Sequence, residues 1–368
     1  MMGPASEWMK RALDLVRAQL SRVSPLPAVG AVVVRDGQVV GQAATAATPG
    51  FHAERRALAL AGDAARGADL YVTLEPCDHQ GATPPCTGAV LEAGIARVFV
   101  AVRDPNPLAR GGVETLRAAG IAVEVGMGGE AAAEMYQGFF KWVERKWPYV
   151  IAKWAMSRDG MIAGADGARR QISGEESMRR VHEMRRRADA ILAGSTTAFK
   201  DDPLLTCRLE GYAGRQPLRV VLDRRLRLSA TARMLGDDVP GETLVVTGPD
   251  APAERVAALR EAGAELLVLE KGLEALLDEL GRRGVLELLV EGGARVLGAF
   301  LDAGLVDRVE AFVAPFEIGD GLPAPVTGTE AADFASIGPV GAVSLRDSGE
   351  DVQIAAIASV YGPGAEST

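Results

Sequence analysis

The sequence predicts a two-domain α/β protein. Its 368 residues are long for one domain and fit two domains of ordinary size. Hydrophobic residues make up 48% of the chain and charged residues 24%, which is typical of globular domains with sizeable cores. Short apolar segments of strand character alternate with segments of helical period, as in sheets covered by helices. A boundary expected at residues 145–148 divides the chain into domains 1–146 and 147–361, followed by a disordered tail at 362–368.

The elements of the first domain follow from periodicity and from turn residues. An apolar stripe that includes Trp8 and Leu15 predicts an amphipathic helix over residues 7–20. Two apolar runs meet at Asp36-Gly37, a dipeptide that favours the tight turn of a β-hairpin. Helices and strands then alternate, which predicts a sheet covered on both faces. The expected segments are strands 29–35 and 38–42, helix 53–61, strand 70–74, helix 86–93, strand 97–102, helix 112–119 and strand 121–125.

The second domain is predicted by the same alternation over a longer stretch. Strands are expected at 149–155, 189–193, 217–222, 243–247, 265–269, 285–290 and 308–314, with a closing pair near 341–346 and 352–359. Helices are expected at 174–187, 251–262, 272–283 and 294–303. This order again indicates an α/β unit.

Charge and cysteine usage narrow the possible functions. The net charge of −9 and the aromatic content of 5% make the chain a poor candidate for binding a nucleic-acid backbone, which favours basic and aromatic surfaces. A phosphate on a substrate must therefore be bound by local Arg or Lys residues. Three cysteines do not make a disulfide framework, and no apolar run is long enough to cross a bilayer. We expect a soluble cytoplasmic protein with no nucleic-acid or membrane partner.

One histidine and two cysteines indicate a catalytic zinc site. His52, Cys77 and Cys86 supply three ligands, which leaves a fourth position open for water. Glu54 follows the histidine by two residues and can move protons without binding the metal. This arrangement is typical of zinc-dependent base deaminases, in which a metal-bound hydroxide attacks a ring carbon that carries an amino group. The gap between the cysteines is longer than in nucleic-acid-editing deaminases, which favours a small-molecule substrate.

The residues around these ligands resemble the bifunctional deaminase/reductases of riboflavin biosynthesis, and the resemblance covers nearly the whole chain. The matching motifs are His52-Ala53-Glu54, Glu75-Pro76-Cys77-Asp78-His79-Gln80-Gly81-Ala82-Thr83-Pro84-Pro85-Cys86, Asp104-Pro105-Asn106-Pro107, Lys153, Ser157-Arg158-Asp159-Gly160, Asp201-Asp202-Pro203-Leu204-Leu205-Thr206 and Glu291-Gly292-Gly293. The resemblance implies a cytidine-deaminase-like three-layer domain followed by a dihydrofolate-reductase-like domain, with Zn²⁺ and NADPH as cofactors. It also implies two consecutive reactions. A ribosylamino-pyrimidine 5′-phosphate is deaminated, and its ribosyl group is then reduced to ribityl.

The resemblance also assigns roles in the second half of the chain, and it leads us to expect a homo-oligomer. It implies substrate contacts by Arg185, Leu205, Arg208 and Glu291. It implies NADPH contacts by Ala155, Gln171, Thr197, Asp201 and Gly293. The residues alone leave alternatives open, because Arg185 lies in a run of three arginines that is equally compatible with a solvated helix face. The segment Asp201-Asp202-Pro203 is likewise compatible with a simple turn.

The sequence departs from the family pattern at positions that would hold the substrate or the cofactor. In the deaminase half, the residues that replace the usual amide, aromatic, histidine, proline and basic side chains are Leu26, Ala44, Thr45, Phe51 and Ala82. In the reductase half, the departures are Gln171, Arg224 and Phe316. Two alternatives therefore stay open at this point. The zinc site could act on another pyrimidine or purine-like metabolite, or the zinc domain could be structural, with only the reductase active.

Overall fold

The computed structural model describes residues 4–20, 22–47, 52–81, 83–165, 171–270, 272–323, 326–327, 330–331, 343–358 and 361. The predicted tail at 362–368 lies outside these residues, as do Phe51 and Ala82. The described residues up to Lys146 form one unit together with Tyr361, and those from Trp147 to Ala358 form a second unit.

A mixed sheet of five strands forms the centre of the first unit. Its strands are β1 (Gly30–Arg35), β2 (Gln38–Ala44), β3 (Asp69–Leu74), β4 (Arg97–Val102) and β5 (Ala122–Val125). They lie in the order β2-β1-β3-β4-β5, in which β1 is antiparallel to both neighbours and the last three strands are parallel. Asp36 and Gly37 have φ angles of 51° and 73°, as the predicted hairpin turn requires.

Helices cover both faces of this sheet. They are α1 (Pro4–Arg17), α2 (Ala53–Ala61), α3 (Cys86–Glu92), α4 (Gly112–Ala118) and α5 (Gly129–Arg145), with a 3₁₀ turn at Gly62–Ala65. A Cβ on Gly30 would overlap the carbonyl oxygen of Ala12 in α1, and a Cβ on Gly41 would overlap that of Ala57 in α2. Gly41 pairs with Val33, so the two glycines face opposite sides of the sheet. Helices α1 and α2 therefore lie on opposite faces, which confirms the predicted three-layer arrangement.

The chain returns to the first unit at Tyr361. Gln137 of α5 donates from Nε2 to the Tyr361 carbonyl oxygen at 3.0 Å and accepts the Tyr361 N–H at 2.8 Å. The ammonium group of Lys141 lies 5.6 Å from the centre of the tyrosine ring. Both Gln137 and Tyr361 are buried, so this residue belongs to the core of the first unit although it follows the whole second unit in sequence.

A sheet of nine strands forms the centre of the second unit. Its strands are β6 (Tyr149–Met156), β8 (Ala190–Gly194), β9 (Leu218–Leu222), β10 (Thr243–Thr247), β11 (Glu265–Val268), β12 (Glu287–Val290), β13 (Arg308–Val313), β17 (Val343–Ser348) and β18 (Asp351–Ile357). The order is β11-β10-β9-β8-β12-β6-β13-β18-β17, and the first seven are parallel. Two small antiparallel pairs are formed by β7 (Met161–Gly164) with β14 (Gly321–Pro323) and by β15 (Val326–Thr327) with β16 (Glu330–Ala331).

The helices of the second unit connect the parallel strands. They are α6 (Glu175–Arg187), α7 (Ser195–Asp201), α8 (Ala253–Glu261), α9 (Leu273–Arg282) and α10 (Ala294–Asp302), with a 3₁₀ turn at Arg233–Leu235. From β8 the chain proceeds through β9, β10 and β11, and it then returns through β12 on the other side of β8. Open α/β sheets bind ligands at the carboxyl ends of the strands beside such a reversal. The topology therefore leads us to expect a ligand site at the carboxyl ends of β8 and β12.

Several short elements were not predicted from the sequence, among them β7 and α7. Strand β7 is only four residues long, and α7 is a seven-residue helix that begins with Ser195, Thr196 and Thr197. Serine and threonine are poor helix formers, so the local sequence carries little helical signal there. In the part of the chain that the structure describes, no helix has the length and apolar character needed to span a membrane.

Candidate active sites

The three predicted zinc ligands come together at one end of the first sheet. His52 immediately precedes α2, Cys77 follows β3, and Cys86 is the first residue of α3. The His52 Nδ1 atom lies 3.3 Å from Cys77 Sγ and 3.2 Å from Cys86 Sγ. These distances approach the ~3.5 Å expected between neighbouring nitrogen and sulfur ligands of a tetrahedral zinc. All three ligand atoms lie within 4.8 Å of one another, so the donor set fits a zinc ion.

The two thiols differ strongly in acidity. The pKa of the Cys77 thiol is lowered to about 4. The main cause is a hydrogen bond with Cys86, a hydrogen bond with His52 adds to it, and burial opposes both. The hydrogen bond to Cys77 and burial raise the pKa of the Cys86 thiol. The backbone N–H of Cys86 also donates to Cys77 Sγ, at 3.4 Å. Without a metal ion, two sulfur atoms this close cannot both be thiolates at little cost, because their negative charges repel each other. A divalent cation between them stabilises both thiolates.

Glu54 has the environment of a group that exchanges protons. It lies in the first turn of α2 and is only 3% exposed. Among the described residues, its Oε2 atom has no hydrogen-bond partner. Burial raises the pKa of Glu54 to about 7. A buried oxygen of this kind costs roughly 1–3 kcal/mol when unpaired, which is tolerated where the oxygen is to meet a ligand. A carboxyl group that titrates near neutral pH can both take and release a proton.

Two acidic residues beside Cys77 hold the loops of the site together. Asp78 accepts hydrogen bonds from the hydroxyls of Thr87 and Thr115, both at 2.6 Å, which links the Cys77 loop to α3 and α4. Glu75 accepts the backbone N–H groups of Asp104, Gly111 and Val113 at 3.0–3.1 Å. Sequence reasoning gave neither residue this role. Their positions on either side of Pro76-Cys77 are the only signal that the sequence carries.

Three of the departures in the deaminase half, Leu26, Ala44 and Thr45, lie among the described residues. The Thr45 hydroxyl accepts the backbone N–H of Val29 at 2.9 Å, and Thr45 is buried. Ala44 is buried at the end of β2, whereas Leu26 is exposed on the surface. Thr45 therefore supports the start of β1, a role that its neighbours do not share.

A buried ion pair lies at the carboxyl end of β12 in the second unit. Arg185 of α6 donates from Nε and Nη2 to the two carboxylate oxygens of Glu291, at 2.6 and 2.8 Å. Burial by itself would raise the pKa of Glu291, but the charge and hydrogen bonds of Arg185, aided by Lys153, lower it to about 2. Arg185 is 9% exposed, so it does not belong to a solvated helix face.

The segment that contains Leu205 and Arg208 is fixed by side chains of α6. Arg185 Nη1 donates to the carbonyl oxygen of Thr206 at 3.1 Å, and the Arg208 guanidinium donates to the Thr206 hydroxyl at 3.1 Å. Leu205 is buried with a left-handed φ of 48°, an uncommon conformation for a residue other than glycine. These contacts bring three of the predicted substrate residues, Arg185, Arg208 and Glu291, to one site.

His182 is a residue of this site that sequence reasoning missed. Its Nδ1 atom accepts the backbone N–H of Arg208 at 3.1 Å. Burial, together with the charges of Arg185 and Arg208, lowers the pKa of His182 to about 4, so the ring is neutral at physiological pH. An acceptor at Nδ1 places the proton of the neutral ring on Nε2. The spacing His182-Glu183-Met184-Arg185 puts both side chains on one face of α6, which is the signal that was available.

The predicted cofactor residues are distributed along the same edge of the sheet. Thr197 and Asp201 lie in α7, which follows β8, and Gly293 follows β12. A Cβ on Gly293 would lie 3.3 Å from Thr197 Oγ1, so glycine keeps the space between these two loops open for a bound group. Ala155 lies in β6, whereas Gln171 is exposed and donates to the Ser173 carbonyl oxygen at 2.8 Å. Thr197 and Gly293 therefore lie close together, whereas the Gln171 amide is bonded locally to Ser173.

Known proteins resemble this chain in both halves. Residues 2–102 match the model of the cytidine and deoxycytidylate deaminase zinc-binding region, and residues 148–350 match the RibD C-terminal domain. Riboflavin biosynthesis protein RibD of Aquifex aeolicus is 41% identical over 343 residues, which cover 93% of this chain and 92% of that protein. RibD of Escherichia coli is 37% identical over 328 residues, which cover 85% of this chain and 88% of that protein.

Solved structures agree over nearly the full length. A diaminohydroxyphosphoribosylaminopyrimidine deaminase/5-amino-6-(5-phosphoribosylamino)uracil reductase from Thermotoga maritima superposes with a TM-score of 0.84 at 36% identity. Acinetobacter baumannii RibD superposes with a TM-score of 0.83 at 35% identity. Each comparison covers 96% of this chain and 98% of the other chain.

Proposed function

The chain belongs to the RibD family of bifunctional riboflavin-biosynthesis enzymes, and from that premise we propose which of its residues carry each of the two reactions. As a member of this family it is a zinc-dependent deaminase and an NADPH-dependent reductase. The fold class predicted from the sequence is confirmed, with a cytidine-deaminase-like domain followed by a dihydrofolate-reductase-like domain. We propose that residues 1–146 form the deaminase domain, to which Tyr361 also packs, and that the reductase domain begins at residue 147.

For the deaminase, we propose that His52, Cys77 and Cys86 hold the zinc ion and that Glu54 moves the protons. When bound, zinc supplies a Lewis acid that makes water a nucleophile near neutral pH. Glu54 would take one proton from the attacking water and deliver it to the ring nitrogen. It would then take the remaining proton of the added hydroxyl and deliver it to the amine, which leaves as ammonia. The observation that carries this proposal is the unpartnered Oε2 of buried Glu54, two residues from the histidine ligand. The substrate is a phosphorylated pyrimidine, as for the family.

For the reductase, we propose that Arg185, Arg208 and Glu291 bind the sugar phosphate of the substrate, with Leu205 closing the site. Arginine suits this role because its guanidinium is always charged and donates two parallel hydrogen bonds to a phosphate. The Glu291 carboxylate stays ionised and can accept hydrogen bonds from substrate hydroxyls. When bound, NADPH supplies the hydride. Thr197, Asp201, Gly293, Ala155 and Gln171 are proposed to hold this cofactor.

Separate assays of the two reactions test this assignment. Ammonia release from the aminated substrate reports the zinc site, and NADPH oxidation with the deaminated substrate reports the second site. Activity in both assays is the expected result. The departures at Leu26, Ala44 and Thr45 left open a paralogue or a structural zinc domain. Neither alternative is supported by relatives that span both halves of the chain.

We also propose that the protein is a cytoplasmic homo-oligomer. Thiolate ligands persist in a reducing compartment, which supports the location. Strand β17 lies at the edge of the nine-stranded sheet, and its side chains Val343 and Leu345 are 59% and 69% exposed. Apolar side chains on an unpaired edge strand are typical of contact surfaces. Light scattering on the purified protein tests the association, and a monomeric mass would contradict it.

A further inference from the structure

The two cysteine segments of the first unit are joined through one backbone oxygen. The Cys77 carbonyl oxygen accepts the backbone N–H groups of Cys86 and Thr87, at 3.1 and 3.3 Å. Because both bonds end on the same atom, they do not by themselves fix how the loop after β3 is turned about it. The direction of the Cys77 side chain therefore depends on the contacts of the residues on either side of it.

On the preceding side, the loop rests on the start of α4. A Cβ on Gly112, the first residue of this helix, would lie only 1.9 Å from the Pro76 carbonyl oxygen, so the helix packs directly against the backbone before Cys77. Glu75 accepts the backbone N–H groups of Gly111 and Val113 at 3.1 and 3.0 Å. These contacts fix the chain as it enters Cys77.

On the following side, one carboxylate group holds the loop. Asp78 Oδ1 accepts the Thr87 hydroxyl and Oδ2 accepts the Thr115 hydroxyl, both at 2.6 Å. This length is typical of a hydroxyl bound to an ionised carboxylate, and such bonds are about twice as strong as those between neutral groups. The backbone N–H of Asp78 also donates to the Ala109 carbonyl oxygen at 3.1 Å. Asp78 is therefore fixed to α3, to α4 and to the loop that precedes α4.

The bond to Thr87 differs from the bond to Thr115 in what it joins. Asp78 directly follows Cys77, and Thr87 directly follows Cys86 in the first turn of α3. A bond between these two neighbours restricts the backbone of both cysteines at once, and Thr87 is only 3% exposed, which limits competition from water. Thr115 lies in α4, which carries none of the three proposed zinc ligands.

We propose that Asp78 is a positioning residue of the zinc centre, which acts through Thr87 to hold the two sulfur atoms at the spacing that the ion requires and so slows the loss of zinc. This inference rests on the proposed zinc ligand set of His52, Cys77 and Cys86. Side chains that orient metal ligands without binding the metal typically contribute 10–100-fold to metal affinity. Each carboxylate oxygen of Asp78 already accepts a threonine hydroxyl, which separates its role from that of a ligand.

Release of zinc from the full-length protein tests the proposal without turnover. A chelator that changes colour on binding zinc measures the dissociation rate at a temperature at which the protein is folded. Asp78→Ala should release zinc about 10–100-fold faster than the wild type. Asp78→Asn should stay within about threefold of the wild type, because its amide can accept from one threonine hydroxyl and donate to the other.

Asp69→Ala is the matched control. Asp69 also accepts two side-chain hydrogen bonds, both from Arg97, but it lies at the opposite end of β3 from the zinc ligands. This variant removes a carboxylate of the same strand and should leave the rate of zinc release unchanged.

The two threonines separate a role in the zinc centre from a role in stability alone. Thr87→Val should release zinc about tenfold faster, whereas Thr115→Val should stay close to the wild-type rate, although each removes one bond to the same carboxylate. Cobalt bound in place of zinc gives a second readout, because its thiolate absorption band reports the geometry of the sulfur ligands. The band should shift in Asp78→Ala and in Thr87→Val and should keep its position in Thr115→Val.

The outcomes distinguish this inference from the proposed deaminase function. Equal zinc release by the wild type and Asp78→Ala would overturn the role of Asp78 and leave the ligand set intact, and equal effects of the two threonine variants would do the same. If Asp78→Ala does not fold, the threonine variants still decide the question. A wild-type protein that binds no zinc would overturn the ligand set, and this inference with it.

Discussion

Arg185 and Glu291 form a two-pronged ion pair inside the second unit, with nitrogen–oxygen distances of 2.6 and 2.8 Å. The pair joins the last turn of α6 to the carboxyl end of β12, the two elements that bound the proposed substrate site. Arg185 also binds the Thr206 carbonyl oxygen, so a single side chain orders three segments of this site. Both structural and catalytic predictions follow from this arrangement.

Arg185→Met should destabilise the second unit by about 3–5 kcal/mol, because it leaves the Glu291 carboxylate buried without its partner. The double variant Arg185→Met/Glu291→Gln should lose less than the sum of the two single changes, since it removes both charges. Urea denaturation of the full chain measures these differences. Arg282→Met is the control and should have little effect, because the ion pair between Arg282 and Glu279 lies on the surface of α9. Additive losses would show that the two side chains act independently.

The same pair predicts a dependence of stability on pH. The folded state lowers the pKa of Glu291 from 4.5 to about 2, so the folded state favours the carboxylate more than the unfolded state does. The resulting stabilisation is fully present above pH ~4.5 and is lost as pH falls from there towards 2. The difference in unfolding free energy between wild type and Glu291→Gln should therefore shrink over this range. A difference that stays constant between pH 5 and 3 would contradict the prediction.

Cys77→Ser or Cys86→Ser should reduce bound zinc from about one ion per chain to a small fraction. A serine hydroxyl stays protonated at neutral pH and is a poor zinc ligand, whereas the thiolate binds firmly. Metal analysis of the purified protein measures the loss. Cys207→Ser is the matched control, because Cys207 lies in the second unit and should leave zinc content unchanged. Full zinc occupancy in either of the first two variants would remove that cysteine from the ligand set.

Glu54→Gln should lower ammonia release about 10²–10⁴-fold, because the amide cannot shuttle protons. Zinc content and NADPH oxidation with the deaminated substrate should both remain at the wild-type level. This combination separates loss of proton transfer from loss of the metal or of the fold. Unchanged ammonia release would assign the proton transfer to another group.

His182→Ala should raise the KM for the phosphorylated substrate of the reductase about tenfold, because it removes the acceptor that positions Arg208, a loss of about 1.4 kcal/mol. The KM for NADPH should not change. His182→Asn should restore much of the affinity, since the asparagine amide oxygen can occupy the place of Nδ1. His182→Gln puts its amide nearer the place of Nε2 and should not. If His182→Gln restores the substrate affinity and His182→Asn does not, the ring acts through Nε2 instead.

The sequence predicted the features that depend on residue type and local spacing. Helix 53–61, strand 97–102 and strand 243–247 are observed with the predicted bounds, because their apolar periods and flanking turns are unambiguous. The residue types at His52, Cys77 and Cys86 are enough to indicate a zinc ligand set, since imidazole and thiolate are the donors that zinc prefers.

Contacts between residues that are far apart in the chain could not be predicted from the sequence. The run Arg185-Arg186-Arg187 reads equally well as a solvated face, and only the fold shows that Arg185 turns inward to Glu291, 106 positions away. The bond from Arg208 to His182 likewise depends on how the chain after α7 passes over α6. Helix α7 itself was missed because its first residues favour caps and turns over helix.

The position of Tyr361 has a consequence for biosynthesis on the ribosome. The first unit is translated first, but the two hydrogen bonds between Gln137 and Tyr361 cannot form until the entire second unit has emerged. A fragment ending at residue 146 would therefore lack a buried aromatic side chain, and the Gln137 Oε1 atom would lose the Tyr361 N–H that it accepts, although Nε2 would keep its bond to the Ala133 carbonyl oxygen. Splitting the two activities into separate polypeptides would be expected to weaken the deaminase half more than the reductase half. The core of the first domain is thus completed only after the second domain has been translated.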